Sequence, residues 1–204
     1  MRALLVGDSM IKYLNEHLSD DSFDFDLDII SYPGATIEVL ASKFSVLKSC
    51  YDCVFVHVGT NNLSLDSVKV ILQKYRSLAN KILLYNPDAN IIFSSIVPRG
   101  FNLFQENYRK TECHLKVLNN KIEEINGALK KLCFDQEAFF FCSSYKASWD
   151  GYLGRDGLHP NRRAGWSTAM GSLEVRKFLD EKFPRHWIEK GQIPWSPRSQ
   201  DRHL

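Results

Sequence analysis

Arg2-Ala3-Leu4-Leu5-Val6-Gly7-Asp8-Ser9 is a short apolar run that ends in a small residue, an acid and a serine. Such a run reads as a strand of a parallel sheet, buried on both faces. Ser9 then stands where the strand stops, and in open α/β sheets the carboxyl end of a strand is where ligands bind. Gly7 is expected to let the backbone turn sharply. Met10-Ile11-Lys12-Tyr13-Leu14 reads as the start of a helix over roughly residues 11–18. A serine at a helix N-terminus has its own amide, and those that follow it, pointing at whatever its hydroxyl attacks. The plain alternative is that it serves as an N-cap.

The rest of the 204 residues fits that start: 44% are hydrophobic and 25% charged, enough for one sizeable core. A formal charge of +2 is too small to argue for nucleic acid or an anionic membrane as partner. The run at Leu4–Val6 breaks at once into Gly-Asp-Ser, unlike a signal peptide, and no apolar run approaches membrane-spanning length. These features predict a soluble, intracellular, cytoplasmic protein. Five cysteines, an odd number in no regular framework, fit a reducing compartment. Cys50 and Cys53 form a Cys-x-x-Cys, but the second half of a zinc site is missing and Cys53 opens an apolar strand, so a buried structural residue is expected.

Further along, Phe25-Asp26-Leu27-Asp28-Ile29 alternates apolar with polar, as an edge strand exposed on one face does; the acids are its solvated side. A turn at Tyr32-Pro33-Gly34-Ala35 precedes Ile37, Leu40, Ala41, Phe44 and Leu47 at helical spacing. Residues 52–58 form a second nearly continuous apolar run, read as a central strand, which ends at Gly59-Thr60-Asn61-Asn62. A helix over residues 66–84 stops before Pro87, a strand covers 90–96, a long amphipathic helix 115–132, a last strand 138–142 and a final helix roughly 162–179. Five strands separated by helical segments imply a three-layer α/β/α fold with a five-stranded parallel sheet, of simplest order 2-1-3-4-5. We expect one domain over residues 1–180 and, over 181–204, a tail with Trp187 and Trp195 partly packed.

A serine hydroxyl is a poor nucleophile at neutral pH and needs a base within hydrogen-bond reach, itself held in one tautomer by a third group. Asp156-Gly157-Leu158-His159 supplies both from one short turn. Acyl transfer also needs donors for an oxyanion, and three candidates stand at strand ends: the Ser9 amide, the Gly34 amide and the Asn61 side chain. Each has a plain reading as turn residue, cap or surface group. His57 lies inside a buried strand and is read as a hydrogen-bonded core histidine. The aperiodic segment 101–110, with Phe101 and Phe104, and the residues Trp149 and Tyr152 ahead of Asp156, are candidates for a substrate wall.

Gly7-Asp8-Ser9, Gly34, Gly59-Thr60-Asn61 and Asp156-x-x-His159 resemble, in order and spacing, the four sequence blocks of the SGNH (GDSL-type) hydrolases. The resemblance implies Ser9 as nucleophile and first oxyanion donor, Gly34 and Asn61 as further donors, His159 as base and Asp156 as its partner, with no metal and no cofactor. The chain departs from the common Gly-Thr-Asn-Asp by carrying Asn62, and from Gly-Asp-Ser-Leu by carrying Met10. More narrowly, Leu4–Ser9, Val56–Asn61, Val97-Pro98-Arg99 and Arg155–Arg163 resemble the esterase domain of first-reading-frame proteins of LINE-type retrotransposons. That likeness implies one module of a longer protein, with membrane or RNA association through parts outside this chain. The expected function is hydrolysis of small-molecule or lipid esters, short acyl or acetyl chains favoured, through an acyl-enzyme. The alternative is a hydrolase-like binding module for protein, RNA or membrane.

Overall fold

Residues 1–12, 14, 25–46, 50–104, 112–143, 152–159 and 161 are described by a computed structural model of the chain. The apolar run is strand β1 (Arg2–Gly7), buried at every residue but Arg2. It pairs in parallel with β2 (Asp26–Ser31) on one side and β3 (Cys53–His57) on the other. With β4 (Asn90–Ser94) and β5 (Phe139–Cys142) these make one five-stranded parallel sheet of order β2-β1-β3-β4-β5. No residue of β2 is fully buried, as its edge position requires, and its Asp28 meets Arg2 at 2.8 Å and the Tyr51 hydroxyl at 2.9 Å.

The helices begin and end where local chemistry stops them. α1 (Ile37–Lys43) is capped by Thr36, whose hydroxyl accepts from the Val39 N–H, and α2 (Val68–Tyr85) by Ser67, which accepts from the Val70 N–H. α2 ends at Asn86, which leaves helical geometry because Pro87 disfavours it there. The Asn86 side chain then holds the Tyr51 N–H and the Ile82 carbonyl. α3 is Glu112–Phe134.

Strand alternation sorts the core into two clusters. Leu4, Val6, Val54, Val56, Ile91 and Phe93 point to the face covered by α1, α2 and α3, while Ala3, Leu5, Cys53, Phe55 and Ile92 point to the other. On the first face Phe93 stacks edge-on between Tyr75 and Phe139, at centroid distances of 5.3 and 6.1 Å, each pair worth about 0.5–1.5 kcal/mol beyond its area. On the second face Met10, Ile11 and Leu14 are buried, with Tyr152, Leu153 and Leu158 packed against them. The helices expected near residues 11–18 and 162–179, the tail over 181–204 and Trp149 lie outside the described residues, apart from Ile11, Lys12 and Leu14. Among the described residues no helix is long and apolar enough to cross a membrane. Cys53 is buried as expected of a structural residue.

Candidate active site

Ser9 opens a 3-10 turn (Ser9–Ile11) whose N-cap is Asp8, so the plain reading of Ser9 as the cap does not hold. Asp8 accepts from the Met10 N–H at 2.9 Å through Oδ1, its own N–H donates to the His57 carbonyl, and Ser31 Oγ donates to its carbonyl at 2.7 Å. Gly7 is not the sharp bend the sequence suggests: it ends β1 in a conformation open to any residue, and a Cβ there would lie 2.1 Å from the His57 carbonyl oxygen. Its smallness lets β1 and β3 lie close just before Ser9.

His159 reaches Ser9 from 150 residues away, with Nε2 3.0 Å from Ser9 Oγ. Its Nδ1 lies 2.6 Å from Asp156 Oδ2, while Asp156 Oδ1 accepts from the Leu158 and His159 N–H groups at 3.0 and 3.1 Å. Partial burial works against charge on Asp156, but the hydrogen bond from His159 and those two amides hold its carboxyl below the ordinary range. An ionised Asp156 accepts from Nδ1–H, so Nε2 carries the lone pair that accepts from the serine hydroxyl. Gly157, at φ 64°, makes the turn, and it is crowded: a Cβ would lie 2.3 Å from the Gly100 carbonyl oxygen and 2.5 Å from that of Phe101. Backbone bonds from Gly100 to Gly157 at 2.8 Å and from Leu103 to Arg155 at 2.6 Å tie this loop to the segment after β4.

The other two expected donors lie on neighbouring turns. Gly34 occupies the third position of the turn Tyr32–Ala35 at φ 78°, after Pro33, as a type II turn requires. That turn hangs from β1 through the Tyr32 N–H, which donates to the Gly7 carbonyl at 2.8 Å. Asn61 sits in a 3-10 turn (Thr60–Asn62) after β3, where Nδ2 donates one hydrogen to the Ala35 carbonyl at 2.9 Å. The turn is entered through Gly59 at φ 118°, where a Cβ would lie 2.5 Å from the Tyr75 hydroxyl, which itself donates to the Val58 carbonyl.

Asp8, His57 and Arg99 are the further ionisable groups at this end of the sheet. Burial raises the Asp8 carboxyl to about 6, against the Met10 N–H and the fields of His159 and Arg99, and Oδ2 has no partner among the described residues. His57 is buried, contacts Ser94 Oγ through Nδ1, and is lowered by burial to about 4, which keeps it neutral at physiological pH and confirms its reading as a core histidine. An arginine after Val97-Pro98 carries no chemical signature of its own, so the place of Arg99 in the site is visible only in the structure. Its backbone is clasped by Asn119 at 2.8 and 2.9 Å, its Nη2 reaches the Thr60 carbonyl at 3.4 Å, and Asp8 and Asp156 both act on its charge. Of the expected substrate wall, Phe101 and Phe104 are exposed and the Arg155 guanidinium lies 5.1 Å from the Phe104 ring centroid. Tyr152 packs partly against the core.

A family model for GDSL-like lipases and acylhydrolases matches residues 6–164, a span that holds every residue of this cluster. The chain belongs to the GDSL-like lipase/acylhydrolase family. It is a hydrolase. Solved structures agree in fold: a Streptococcus pneumonia protein named for platelet activating factor is 20% identical over 86% of this chain and 83% of that one, with a TM-score of 0.66. A carbohydrate esterase of family 3 from Talaromyces cellulolyticus is 18% identical over 89% and 99%, with a TM-score of 0.60. The esterase domain of the ORF1 protein of the zebrafish ZfL2-1 retrotransposon is 20% identical over 89% and 99%, and its TM-score of 0.41 is too low to carry an argument. No curated protein matches the chain. Within the GDSL-like sheet, the ends of β1, β2 and β3 bring Ser9, Gly34 and Asn61 to one rim, and the loop beyond β5 carries His159 to it.

Proposed function

We propose that this GDSL-like hydrolase cleaves carboxylic esters through an acyl-enzyme formed on Ser9. The observation that carries the reading is the unbroken line from Asp156 Oδ2 through both His159 ring nitrogens to Ser9 Oγ, at 2.6 and 3.0 Å. Ser9 Oγ attacks the ester carbonyl as His159 Nε2 takes its proton, and Asp156 steadies the imidazolium. The tetrahedral oxyanion rests on the Ser9 and Gly34 amides and on the Nδ2 hydrogen of Asn61 that Ala35 does not hold. Collapse of the intermediate breaks the bond to the leaving alcohol, which receives the proton from His159. Water, deprotonated by the same imidazole, then releases the acid and restores Ser9.

Short acyl or acetyl esters are the favoured substrates, with lipid esters an alternative should the exposed Phe101 and Phe104 line the acyl path. The narrower likeness to retrotransposon esterase modules rests on the sequence blocks at 4–9, 56–61, 97–99 and 155–163 together, and an intracellular address goes with it in this proposal. Turnover of p-nitrophenyl acetate by the wild type and by Ser9→Ala tests the chemistry. The proposal expects loss of at least a thousandfold in kcat, and equal rates would refute it.

A further inference from the structure

The turn that carries Asn61 is held by a closed ring of side chains whose hub is Asn62, the residue at which this chain departs from the common Gly-Thr-Asn-Asp. Asn62 is fully buried. Its Oδ1 accepts from the Ile37 N–H at 2.9 Å, and its Nδ2 donates to Glu38 Oε2 at 3.1 Å and to Asp66 Oδ2 at 2.7 Å, so both amide hydrogens end on carboxylates. Lys74 closes the ring from α2, with Nζ 2.6 Å from Glu38 Oε1 and 2.7 Å from Asp66 Oδ2. Lys121 reaches in from α3 and donates to the Leu63 and Asp66 carbonyls, each at 2.6 Å.

Two bonds make the ring relevant to the chemistry. Asn61 Nδ2 holds the Ala35 carbonyl and Asn62 Oδ1 holds the Ile37 N–H, so adjacent residues of one turn grip both sides of Thr36. Gly34 precedes Ala35 directly. The turn with the Gly34 amide and the turn with the Asn61 amide are therefore stitched to each other by residues 61 and 62, and the second stitch is kept in place by the ion ring.

We infer that Asn62 is a positioning residue that fixes the distance between two oxyanion donors, and that its amide is needed because Glu38 and Asp66 leave no room for a third carboxylate. An aspartate would keep the acceptor for the Ile37 N–H but would place negative charge against two carboxylate oxygens, with Lys74, bonded to both, and the field of Lys121 on Asp66 to offset three carboxylates. Asn62 acts through Asn61 and Gly34 and touches no substrate. The inference rests on the esterase reading of those donors. Hydrogen bonds from Lys74 and Asn62 hold Asp66 below its ordinary range, and Glu38 is lowered too, the same bonds outweighing its partial desolvation, so both are anions at neutral pH.

The test is steady-state hydrolysis of p-nitrophenyl acetate by the wild type, Ser9→Ala, Asn62→Asp, Glu38→Gln and the double variant Asn62→Asp with Glu38→Gln. Urea melts accompany each. A 1 Å misplacement at a reacting centre costs roughly a hundredfold. Asn62→Asp is therefore expected to lower kcat about ten- to a hundredfold at pH 8 with KM within about twofold. The loss should shrink as pH falls towards 5.5, where a proton can be shared among the carboxylates. Glu38→Gln is expected to be near wild type alone and to restore at least half of the lost kcat, on a logarithmic scale, in the double variant. Wild-type kcat in a folded Asn62→Asp, a loss that only tracks the unfolded fraction, or no restoration by Glu38→Gln overturns the inference. Should Asn62→Asp not fold at pH 8, Glu38→Ala takes its place: a severalfold kcat loss at unchanged KM supports the positioning role and unchanged kcat refutes it. Equal turnover by the wild type and Ser9→Ala removes the esterase reading and the inference with it, whereas an inactive Ser9→Ala beside a fully active Asn62→Asp removes the inference alone.

Discussion

Replacing Asp8 by asparagine should make the protein gain stability on the wild type as pH rises from acid to neutral, although the residue adjoins the nucleophile. Asp8 is fully buried, and its carboxyl is raised from an ordinary 3.8 to about 6. At about 1.4 kcal/mol per tenfold change in proton affinity, the ionised form costs the folded state about 3 kcal/mol. The folded chain keeps a proton that the unfolded chain releases, so this stability is present below the unfolded value and lost as pH rises through about 6. His57 works in the opposite direction. Lowered from 6.5 to about 4, it refuses a proton that the unfolded chain takes up, so its contribution is present above 6.5 and lost as pH falls through about 4. Between these limits the two slopes offset each other in the wild type. Asp8→Asn keeps the Oδ1 acceptor for the Met10 N–H and removes one slope, which leaves His57 unmasked. The new amide hydrogens have no acceptor in view, but that penalty does not vary with pH. Urea denaturation of both proteins at pH 4 and pH 7.5 gives the answer: the variant should gain about 2–2.5 kcal/mol on the wild type between the two, since at pH 4 the unfolded carboxyl is already more than half ionised. A difference that stays constant, or shrinks with rising pH, would refute the argument. In turnover the variant should be slower, because the lost charge faces His159 and favours its protonated form during attack.

Two further substitutions probe the site's scaffold and its donors. Gly157→Ala forces a side chain into a left-handed position and against the Gly100 and Phe101 carbonyl oxygens, and should cost about 1–3 kcal/mol in denaturant midpoint analysis. Its kcat should fall about a hundredfold as the Asp156–His159 loop is pushed from Ser9. Asn61→Ala removes one donor and should lower kcat roughly 10²–10³-fold with KM little changed, read by initial rates over a range of ester concentrations.

Much of this was legible in the sequence because parallel strands announce themselves: β1 and β3 are buried on both faces and read as apolar runs, Ala3–Val6 unbroken and Cys53–Val58 interrupted only by His57. The strand order followed from their separation by helices, and it set Ser9, Gly34 and Asn61 on one rim. Asp156 and His159 were legible as a pair because a three-residue spacing across a glycine turn lets both side chains project to one side, and their roles came from the resemblance to the SGNH blocks. At Ser9 the plain reading as an N-cap fails, since Asp8 takes the cap of the 3-10 turn that follows. Gly7 was read as a turn residue, whereas its reason is the close approach of His57 from a strand about 50 positions away, which no local pattern encodes. Arg99 and the ring around Asn62 escaped for the same reason. Lys74, Glu38 and Asp66 look like ordinary solvated charges until the fold gathers them from α1, α2 and the loop between β3 and α2.

The central claim is that Ser9, activated by His159, forms a covalent bond to the acyl group. An activated p-nitrophenyl phosphonate ester tests it directly, since attack by the serine oxygen forms a stable P–O bond and expels nitrophenolate. Intact mass and peptide mapping should find one adduct per chain, on the peptide containing Ser9, and labelling should slow at least a hundredfold in His159→Ala. An adduct on any other residue, or an equal labelling rate without the imidazole, would contradict the account.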